Sequence, residues 1–239
     1  MELDNQILDR TYAVLKENLL QRMPKPGDYP TPIPGFVLHR RDVANKPENC
    51  FNRPILAVTI QGSKRTVVGN EEYRYGAGNC LLAGVDMPNM SYLTEASPEK
   101  PYLVISLDLD THLISQLAVQ IPPPKAPNDS FSGTIVAPTD PEVLKAFHRL
   151  VELLDKPEQI PLLAPIIPRD VHLLLLLGPQ GGLLKTIHTP GTQSNQVFPS
   201  ITCLPVNFMH PLHVDHLPNR LNLSPPPFRK PFQTVTSIT

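Results

Sequence analysis

Three polar side chains near the end of this 239-residue chain, Arg229, Lys230 and Gln233, are of the types that contact nucleic acid. Arginine and glutamine can form paired hydrogen bonds with base edges, and lysine neutralises phosphate groups. Phe228 and Phe232 stand four residues apart and would form the apolar side of the same helix. The pattern therefore predicts a short amphipathic helix that presents its polar side chains outward.

The segment before this helix would complete a two-helix unit. Val214, Leu217 and Leu221 form one apolar stripe, residues 222–223 would turn the chain, and Ser224 can cap the second helix. Two short helices joined by a tight turn are typical of a helix-turn-helix, whose second helix enters the major groove of DNA. A plain helical hairpin has the same pattern, so the residues alone leave both structures open.

The same region holds a second cluster of chemically active side chains, in which Asp215 accompanies His210, His213 and His216. Imidazole and carboxylate groups are common metal ligands, but three imidazoles must share one face to bind one ion. Pro211 breaks the helical register that would align them. The cluster is therefore interpreted as solvated polar side chains, and no metal ligand is predicted.

Signatures of catalysis are missing from the sequence, which has no G-x-S-x-G nucleophile elbow and no H-E-x-x-H metal-binding helix. Between residues 36 and 108 the single histidine is His39, whereas a metal-dependent barrel enzyme needs about three converging ligands. The glycine-rich residues 178–182 lack the lysine and hydroxyl spacing of a phosphate loop and predict a helix end followed by a turn. We expect a protein with no catalytic residue, no metal and no cofactor.

Charge and composition bound the remaining function classes. The formal net charge is -1, from 21 Lys and Arg against 22 Asp and Glu, so any DNA contact must be local. No run approaches the roughly 20 apolar residues of a membrane helix, and the acidic N-terminus lacks the basic region of a signal peptide. A cytoplasmic protein without a membrane partner is therefore expected. Three widely spaced cysteines, Cys50, Cys80 and Cys203, fit neither a disulfide framework nor a zinc-ligand pair and should be reduced.

The elements that must position these side chains include a β-rich region in the first half of the chain. Short runs of β-branched and aromatic residues, separated by glycine turns, predict seven strands. These strands cover residues 36–41, 55–61, 64–68, 71–75, 80–85, 90–95 and 102–107. Seven strands at this spacing favour a closed or sandwich-like antiparallel barrel, and a further strand near residues 134–137 would rejoin the sheet.

Helical periodicity flanks the strands on both sides. Helices are predicted at residues 5–23, 110–120, 141–154 and 162–177. The third helix follows Thr139 or Asp140 as its N-terminal cap and places apolar residues on one face. The fourth ends in five consecutive leucines and is apolar nearly all round. One amphipathic and one strongly apolar helix commonly form a helix-pair interface, so a dimer seam is predicted here.

Two parts of the sequence together resemble the AraC-type transcriptional regulators, and the likeness spans nearly the whole chain. The first part contributes the motifs Thr31-Pro32-Ile33-Pro34-Gly35, Gln61-Gly62-Ser63-Lys64, Tyr73-Arg74-Tyr75 followed by Gly78, and Thr94-Glu95-Ala96-Ser97-Pro98. The second runs from Leu212 to Phe232 and contains Val-Asp-x-Leu, Asn-Leu-Ser-Pro and Phe-Arg-Lys-x-Phe, which look like the first helix-turn-helix of that family. The turn at residues 178–181 also recurs in the family.

This resemblance implies a mainly β, cupin-like (jelly-roll) effector-binding and dimerisation domain with C-terminal helices, followed by an all-α DNA-binding domain. The corresponding division is an N-terminal helix and arm at 1–34, the cupin-like domain at 35–188, a linker at 189–196 and a partial helix-turn-helix at 197–239. By the same resemblance the first recognition helix lies between Ser224 and Gln233, and its DNA-facing residues are Ser224, Arg229, Lys230 and Gln233. The implied partners are DNA, a small-molecule effector of unknown identity and a second copy of the chain.

Two departures from the family pattern predict impaired DNA recognition. The chain ends at Thr239, so the second helix-turn-helix is expected to be absent. Prolines also fall inside the expected helices, at Pro199, Pro205, Pro218 and Pro231. Each removes a helix hydrogen bond at a cost of about 3 kcal/mol. Two other functions stay open: a cupin-type barrel enzyme, and a regulator-derived interaction protein that forms heterodimers without binding DNA.

Overall fold

Alternating side chains define the strands of the β-rich region. Successive residues of a strand point to opposite faces, and in residues 36–41 the buried side chains of Phe36 and Leu38 alternate with the half-buried side chains of Val37 and His39. The computed structural model describes residues 2–69, 71–121 and 133–188, and ten strands lie within those ranges. They are β1 (Gly27–Pro30), β2 (Phe36–Arg41), β3 (Glu48–Asn52), β4 (Ile55–Gln61), β5 (Ser63–Val68), β6 (Glu71–Gly76), β7 (Asn79–Ala83), β8 (Met87–Glu95), β9 (Tyr102–Asp108) and β10 (Thr134–Pro138).

The strands form two sheets in which every pairing is antiparallel. The large sheet has the order β1-β2-β9-β4-β7-β10, and the small sheet has the order β3-β8-β5-β6. The expectation of a mainly β, antiparallel domain is therefore confirmed. Two separate sheets within the described residues correspond to the sandwich-like arrangement rather than to a closed barrel.

All seven strands predicted from the sequence are present, with ends that differ by at most a few residues. The additional strand expected near residues 134–137 is β10, which rejoins the large sheet beside β7. Strands β1 and β3 were not predicted. Both lie at sheet edges, where one side of the strand has no neighbour.

Glycines make the tight turns between these strands possible. Gly62, between β4 and β5, has a φ of +84°, a conformation that other residues rarely adopt. A side chain at this position would also collide with its surroundings, because a Cβ atom would lie 2.8 Å from the carbonyl oxygen of Glu95. The turn therefore depends on glycine for two separate reasons.

Six α-helices pack beside the sheets in the described part of the chain. They are α1 (Glu2–Arg22), α2 (Thr111–Ala118), α3 (Pro141–Leu153), α4 (Ile160–Leu163), α5 (Ile167–Leu177) and α6 (Gly181–His188). The N-terminal cap of α3 is Asp140, whose side chain accepts a hydrogen bond of 2.8 Å from the backbone N–H of Glu142. Of the two caps proposed for this helix, the structure thus contains the second.

The prediction of one continuous helix at residues 162–177 was wrong. The chain instead forms a short 3-10 turn at Pro157–Gln159, then α4, a break at residues 164–166, and α5. Pro165 lies in the break and Pro168 in the first turn of α5, where backbone N–H groups have no partner within the helix. The expected helix end and turn is confirmed at residues 178–180, whereas residues 181 and 182 already belong to α6, which was not predicted.

The main core lies between the outer face of the large sheet and the helices. Leu15, Leu19 and Met23 of the α1 region are fully buried there, as their helical spacing predicted. Phe36 of β2 and Phe147 of α3 meet in an edge-to-face contact with ring centroids 6.0 Å apart. This core fixes the large sheet against the helices and leaves its opposite face for the small sheet.

The apolar stripe of α3 finds its partners within the same chain. Val143, Phe147 and Leu150 are almost fully buried in the main core, so this stripe does not form an open seam. The apolar side chains that remain exposed on α4, α5 and the break between them are Leu162 (71%), Ile166 (57%), Leu173 (37%) and Leu177 (63%). The dimer predicted from the helices at residues 141–154 and 162–177 stays a prediction. The exposed side chains on α4, α5 and the break between them are the surface that such a dimer would use.

Two further sequence predictions concern membranes and thiols. No single helix among the described residues is both long and apolar enough to cross a membrane; the bent pair Pro157–Leu163 and Ile167–Leu177 meets that description only together, across a 47° bend. Cys50 and Cys80 are free thiols, half-buried and buried respectively. Cys203 lies outside the described residues.

Candidate functional site

The two sheets turn one face toward each other, and side chains from both meet there. Tyr75 of the small sheet packs with Leu81 of the large sheet, and Leu93 of the small sheet packs with Tyr102 and Val104 of the large one. We call these opposing surfaces the inner face. Strand register places the following residues on it: His39, Arg41, Lys64, Thr66, Tyr75, Ser91, Leu93, Tyr102, Val104 and Ser106.

The strand β2 supplies two of the basic residues. Its odd-numbered positions 39 and 41 pair with Val104 and Tyr102 of β9, so His39 and Arg41 share the inner face with those residues. Phe36 points to the main core on the opposite side. The same alternation that buries one face of the strand therefore directs a histidine and an arginine between the sheets.

A hydrogen-bonded chain joins three polar residues of the large sheet. His39 Nδ1 lies 2.7 Å from Asp28 Oδ1, and His39 Nε2 lies 2.7 Å from Ser106 Oγ. Arg41 also donates to Asp28 Oδ1, at 2.6 Å. When the imidazole is neutral and Nδ1 carries the proton, Nε2 accepts the hydrogen bond from the serine hydroxyl.

The ionisation of this group follows from burial and pairing together. Burial lowers the pKa of His39 below its ordinary value, although the hydrogen bond to Asp28 acts in the opposite direction. Burial favours the neutral form of Asp28, but hydrogen bonds from His39 and Arg41 outweigh it, so the pKa of Asp28 is lowered. Asp28 is thus an anion whose charge is already shared between two partners.

Lys64 of β5 projects onto the inner face from the small sheet. It pairs in register with Tyr75 and Leu93, two of the apolar residues that meet the large sheet. Its side chain is half-buried, and within the described residues Nζ makes no hydrogen bond and no ion pair. Burial lowers the pKa of Lys64; the Cys50 thiol acts in the opposite direction, and the positive charge of Arg41 acts in the same direction as burial.

Hydroxyl groups complete the polar part of the inner face. Thr66 Oγ1 lies 3.1 Å from the hydroxyl of Tyr75, and burial raises the pKa of Tyr75 to about 12. Ser91 Oγ lies 3.6 Å from Cys50 Sγ. Both tyrosine and serine groups therefore remain neutral donors or acceptors at physiological pH.

Apolar residues on the inner face do not merge into a single closed core. Tyr75, Leu81 and Ala83 form one small cluster, and Leu93, Tyr102 and Val104 form another. The half-buried basic side chains of His39, Arg41 and Lys64 occupy the same surface. The inner face therefore combines apolar contact surface with basic groups, the combination that sites for small amphipathic molecules present.

The residues predicted to face DNA, Ser224, Arg229, Lys230 and Gln233, lie outside the described residues. The histidine cluster at residues 210–216 lies outside them as well. Among the residues that the structure describes, no three His, Cys, Asp or Glu side chains come together in a way that could hold a metal ion. His39, considered from the sequence as a possible isolated ligand, pairs instead with Asp28 and Ser106.

Sequence reasoning did not identify Arg41, Lys64 or Ser106 as site residues. A signal for Arg41 was available, because it alternates with the apolar positions Phe36 and Leu38 that the main core requires. Lys64 gives a weaker signal, since its strand has no strongly apolar face to fix the register. Ser106 gives no signal in the sequence, because β9 is buried on both faces and so has no pattern that singles out one face.

A comparison of the sequence with known protein families identifies the family of this chain. The family described as the AraC-type transcriptional regulator N-terminus matches residues 32–183, well over half of the chain. This chain belongs to that family. The match covers β2 to β10 and most of the helices, so the AraC-type N-terminal domain contains the whole inner face except Asp28 and its strand.

Solved structures are similar to this AraC-type domain at low sequence identity. The structure of ToxT from Vibrio cholerae with a bound unsaturated fatty acid shares 11% identity, with 85% of this chain and 74% of that chain covered and a TM-score of 0.50. The AraC-like transcriptional activator CuxR shares 10% identity, with 84% and 72% covered and a TM-score of 0.39. A comparison with curated protein sequences finds no significant match.

Proposed function

We propose that this chain is an AraC-type regulator whose sandwich binds a small-molecule effector on the inner face. The observation that carries the proposal is the mixed lining of that face. Two separate apolar clusters and half-buried basic side chains lie between the sheets, where a purely structural sandwich would have one continuous apolar core. The fold is also that of ToxT, which has been crystallised with an unsaturated fatty acid.

Effector binding is tested by adding bulk to the inner face. Thr66 and Val67 are neighbours on β5 that point to opposite faces, and Thr66 is buried on the inner one. Ligands are first found by their ability to raise the unfolding temperature of the full chain, from a library of charged and uncharged metabolites. Thr66→Phe should abolish this stabilisation, whereas Val67→Phe, which adds the same ring outside, should preserve it. Equal stabilisation of both variants would contradict binding on the inner face.

The proposal includes a homodimer formed through α4 and α5. Ile166, the N-terminal cap of α5, is exposed together with Leu173 and Leu177 at intervals of seven and four residues, which places the three on one side of α5. Apolar residues at this spacing form the contact surface of paired helices. The buried stripe of α3 supports this surface from within the chain.

Contact with DNA is proposed for the C-terminal segment, with Ser224, Arg229, Lys230 and Gln233 as the residues that face it. Support comes from membership of a family of transcriptional regulators and from the two-stripe pattern of residues 214–232. We propose that this contact is weakened by Pro218 and Pro231, since a proline inside a helix removes a hydrogen bond and clashes with the preceding turn.

A further inference from the structure

Ser106, His39 and Asp28 are linked in the order of a nucleophile, a base and a carboxylate. Ser106 Oγ lies 2.7 Å from His39 Nε2, and His39 Nδ1 lies 2.7 Å from Asp28 Oδ1. The Asp28 carboxylate accepts the Nδ1 proton of the neutral imidazole, which leaves Nε2 to accept the proton of the serine hydroxyl. This is the arrangement in which a histidine converts a serine hydroxyl into a nucleophile.

Strand register holds these three side chains in place. His39 of β2 pairs with Val104 of β9, and Ser106 lies two positions further along β9, so His39 and Ser106 are diagonal neighbours on the inner face. Asp28 of β1 pairs directly with His39. Ser106 is 3% exposed, whereas the imidazole is only half-buried. Three adjacent strands, rather than a loop, therefore position the nucleophile and its base.

Lys64 brings a positive charge to the same inner face from the opposite sheet. Its Nζ makes no hydrogen bond and no ion pair within the described residues. The guanidinium of Arg41, by contrast, is engaged by Asp28 and by the carbonyl oxygen of Gly27. Acyl transfer places a negative charge on the former carbonyl oxygen of the substrate, and a cation in a site that excludes water stabilises that charge. Lys64 is the basic group that remains free to do so.

We propose that Ser106 is an acylatable nucleophile with His39 as its general base, and that the inner face cleaves small, uncharged carboxylic esters. The acyl group is small because Ser106 is almost fully buried. The ester is uncharged because the basic groups repel a cation, and an anion would pair with Lys64 in place of the carbonyl oxygen. Asp28 acts through His39 and is a positioning residue. This activity goes beyond effector binding and shares with it the access of small molecules to the inner face.

The proposed reaction is ester hydrolysis through an acyl-serine. Ser106 Oγ attacks the carbonyl carbon while His39 Nε2 takes its proton, and the carbonyl electron pair moves onto the oxygen. Collapse of this intermediate breaks the bond to the alcohol, which leaves with the proton from His39. Water then attacks the acyl-serine by the same route, and His39 again takes and returns the proton. The products are one carboxylic acid, one alcohol and the original serine.

Diisopropyl fluorophosphate and p-nitrophenyl acetate test the nucleophile on the full chain. Mass spectrometry of proteolytic fragments should find the stable phosphoryl group on Ser106 of the wild-type chain, a result that depends on no variant. Ser106→Ala should cleave the acetate about a hundredfold more slowly, and Lys64→Met should slow cleavage by a similar factor. Ser115→Ala is the matched control, because the half-buried Ser115 of α2 donates its hydrogen bond to the carbonyl oxygen of Thr111. It should react like the wild-type chain.

The pH dependence of phosphorylation separates a general base from a structural hydrogen bond. The charged groups that act on His39 come from three strands: Asp28 of β1, Arg41 of β2 and Lys64 of β5. Burial lowers the pKa of His39 most, Asp28 opposes this, and the two cations add to it. The rate should therefore rise with pH to a plateau, with its midpoint below the ordinary pKa of histidine. Asp28→Asn should slow the reaction by about tenfold to a hundredfold and lower the midpoint further, because the carboxylate that favours the imidazolium is gone.

The outcomes separate this activity from effector binding. Phosphorylation only at residues other than Ser106, a pH-independent rate, or acetate cleavage by Ser106→Ala at the wild-type rate would overturn the activity. Thermal unfolding of each variant, recorded without ligand, shows whether the sandwich is intact. If a library compound stabilises the wild-type chain and Thr66→Phe excludes it while Ser106 stays unmodified, the activity is wrong and sensing stands. If Ser106 is modified and no library compound stabilises the chain, the activity stands and sensing is wrong.

Discussion

His188, the last residue of α6, donates a hydrogen bond from Nε2 to the backbone carbonyl of Gly84, at 2.9 Å, across 104 positions of the chain. The contact ties the end of the described domain to the connection between β7 and β8. Gly84 has room for α6 because it lacks a side chain; a Cβ atom there would lie 3.1 Å from Ile187 Cδ1. The C-terminal end of α6 is therefore fixed to the sandwich.

This contact predicts that acid destabilises the domain. Burial lowers the pKa of His188 to about 4, although its hydrogen bond to Gly84 acts in the opposite direction. An unfolded chain protonates the same histidine below about pH 6.5. Between these two values the unfolded state binds more protons, so the free energy of unfolding falls as the pH falls, by about 3 kcal/mol from pH 7 to pH 4. Burial lowers the pKa of His172 and His39 as well, which adds to the effect.

Urea denaturation at pH 7, 6, 5 and 4 measures this slope. His188→Gln keeps an amide donor for Gly84 but cannot titrate, so it should show a distinctly smaller loss of stability with acid. His112→Gln is the matched control, because His112 is exposed on α2, and it should behave like the wild-type chain. A His188→Gln variant with the full wild-type slope would show that this histidine does not account for the pH dependence.

The backbone conformation of Gly62 predicts that substitution there lowers the stability of the domain. Gly62→Ala must place a side chain at a φ of +84° and 2.8 Å from the carbonyl oxygen of Glu95, so it should lower the free energy of unfolding by about 2–4 kcal/mol. Gly78→Ala is the control for conformation alone, since Gly78 has a φ of +88° but no atom within 4 Å of an added Cβ. It should cost about 1 kcal/mol. Equal losses in chemical denaturation would mean that the contact with Glu95 relaxes without cost.

The strands and helices that could be predicted from the sequence are those whose apolar residues must pack in the core. Strands β2 and β9 carry the apolar positions that pack under the helices, and the predicted bounds of β2 are the observed ones. Strand β3, Glu48–Asn52, lies at the edge of the small sheet and runs from two exposed to three half-buried residues, so no alternation marks it. The break before α5 escaped prediction because the apolar run continues through it, and Pro165 was outweighed by that run.

The candidate site was harder to predict than the fold, for a physical reason. Arg41 and Lys64 lie on different sheets, and whether they share one site depends on how the two sheets face one another. A shift of one residue in either strand would move its charged side chain to the opposite face. The pairing of Asp28 with His39 likewise depends on β1, a strand whose prolines and short length hide it in the sequence.

The proposed dimer surface predicts a change in oligomeric state without a change in fold. Replacing Ile166 and Leu177 together by lysine should yield a monomer, because two charges would have to be buried in the helix pair. Both side chains are largely exposed within one chain, so the monomer's own stability should change by no more than about 0.5 kcal/mol. Val119→Lys, at an exposed apolar residue after α2, is the control. Light scattering at micromolar concentration that shows a wild-type monomer, or a dimeric double variant, would contradict this surface.

The proposed C-terminal helix-turn-helix predicts that removal of its prolines strengthens DNA binding. A proline inside a helix costs about 3 kcal/mol of helix stability, so Pro218→Ala combined with Pro231→Ala should raise the affinity for duplex DNA by at least about tenfold. Sequences selected from a random duplex library provide the probe, and fluorescence anisotropy at several salt concentrations provides the affinity.

Adding Arg229→Ala to the two alanines should remove the selectivity among those sequences. Adding Lys230→Ala instead should weaken binding to every sequence alike and reduce the salt dependence of binding. Lys16→Ala on α1 should have no effect. Selective binding by the unaltered chain in 200 mM salt, with no gain from the two alanines, would show that these prolines do not limit recognition.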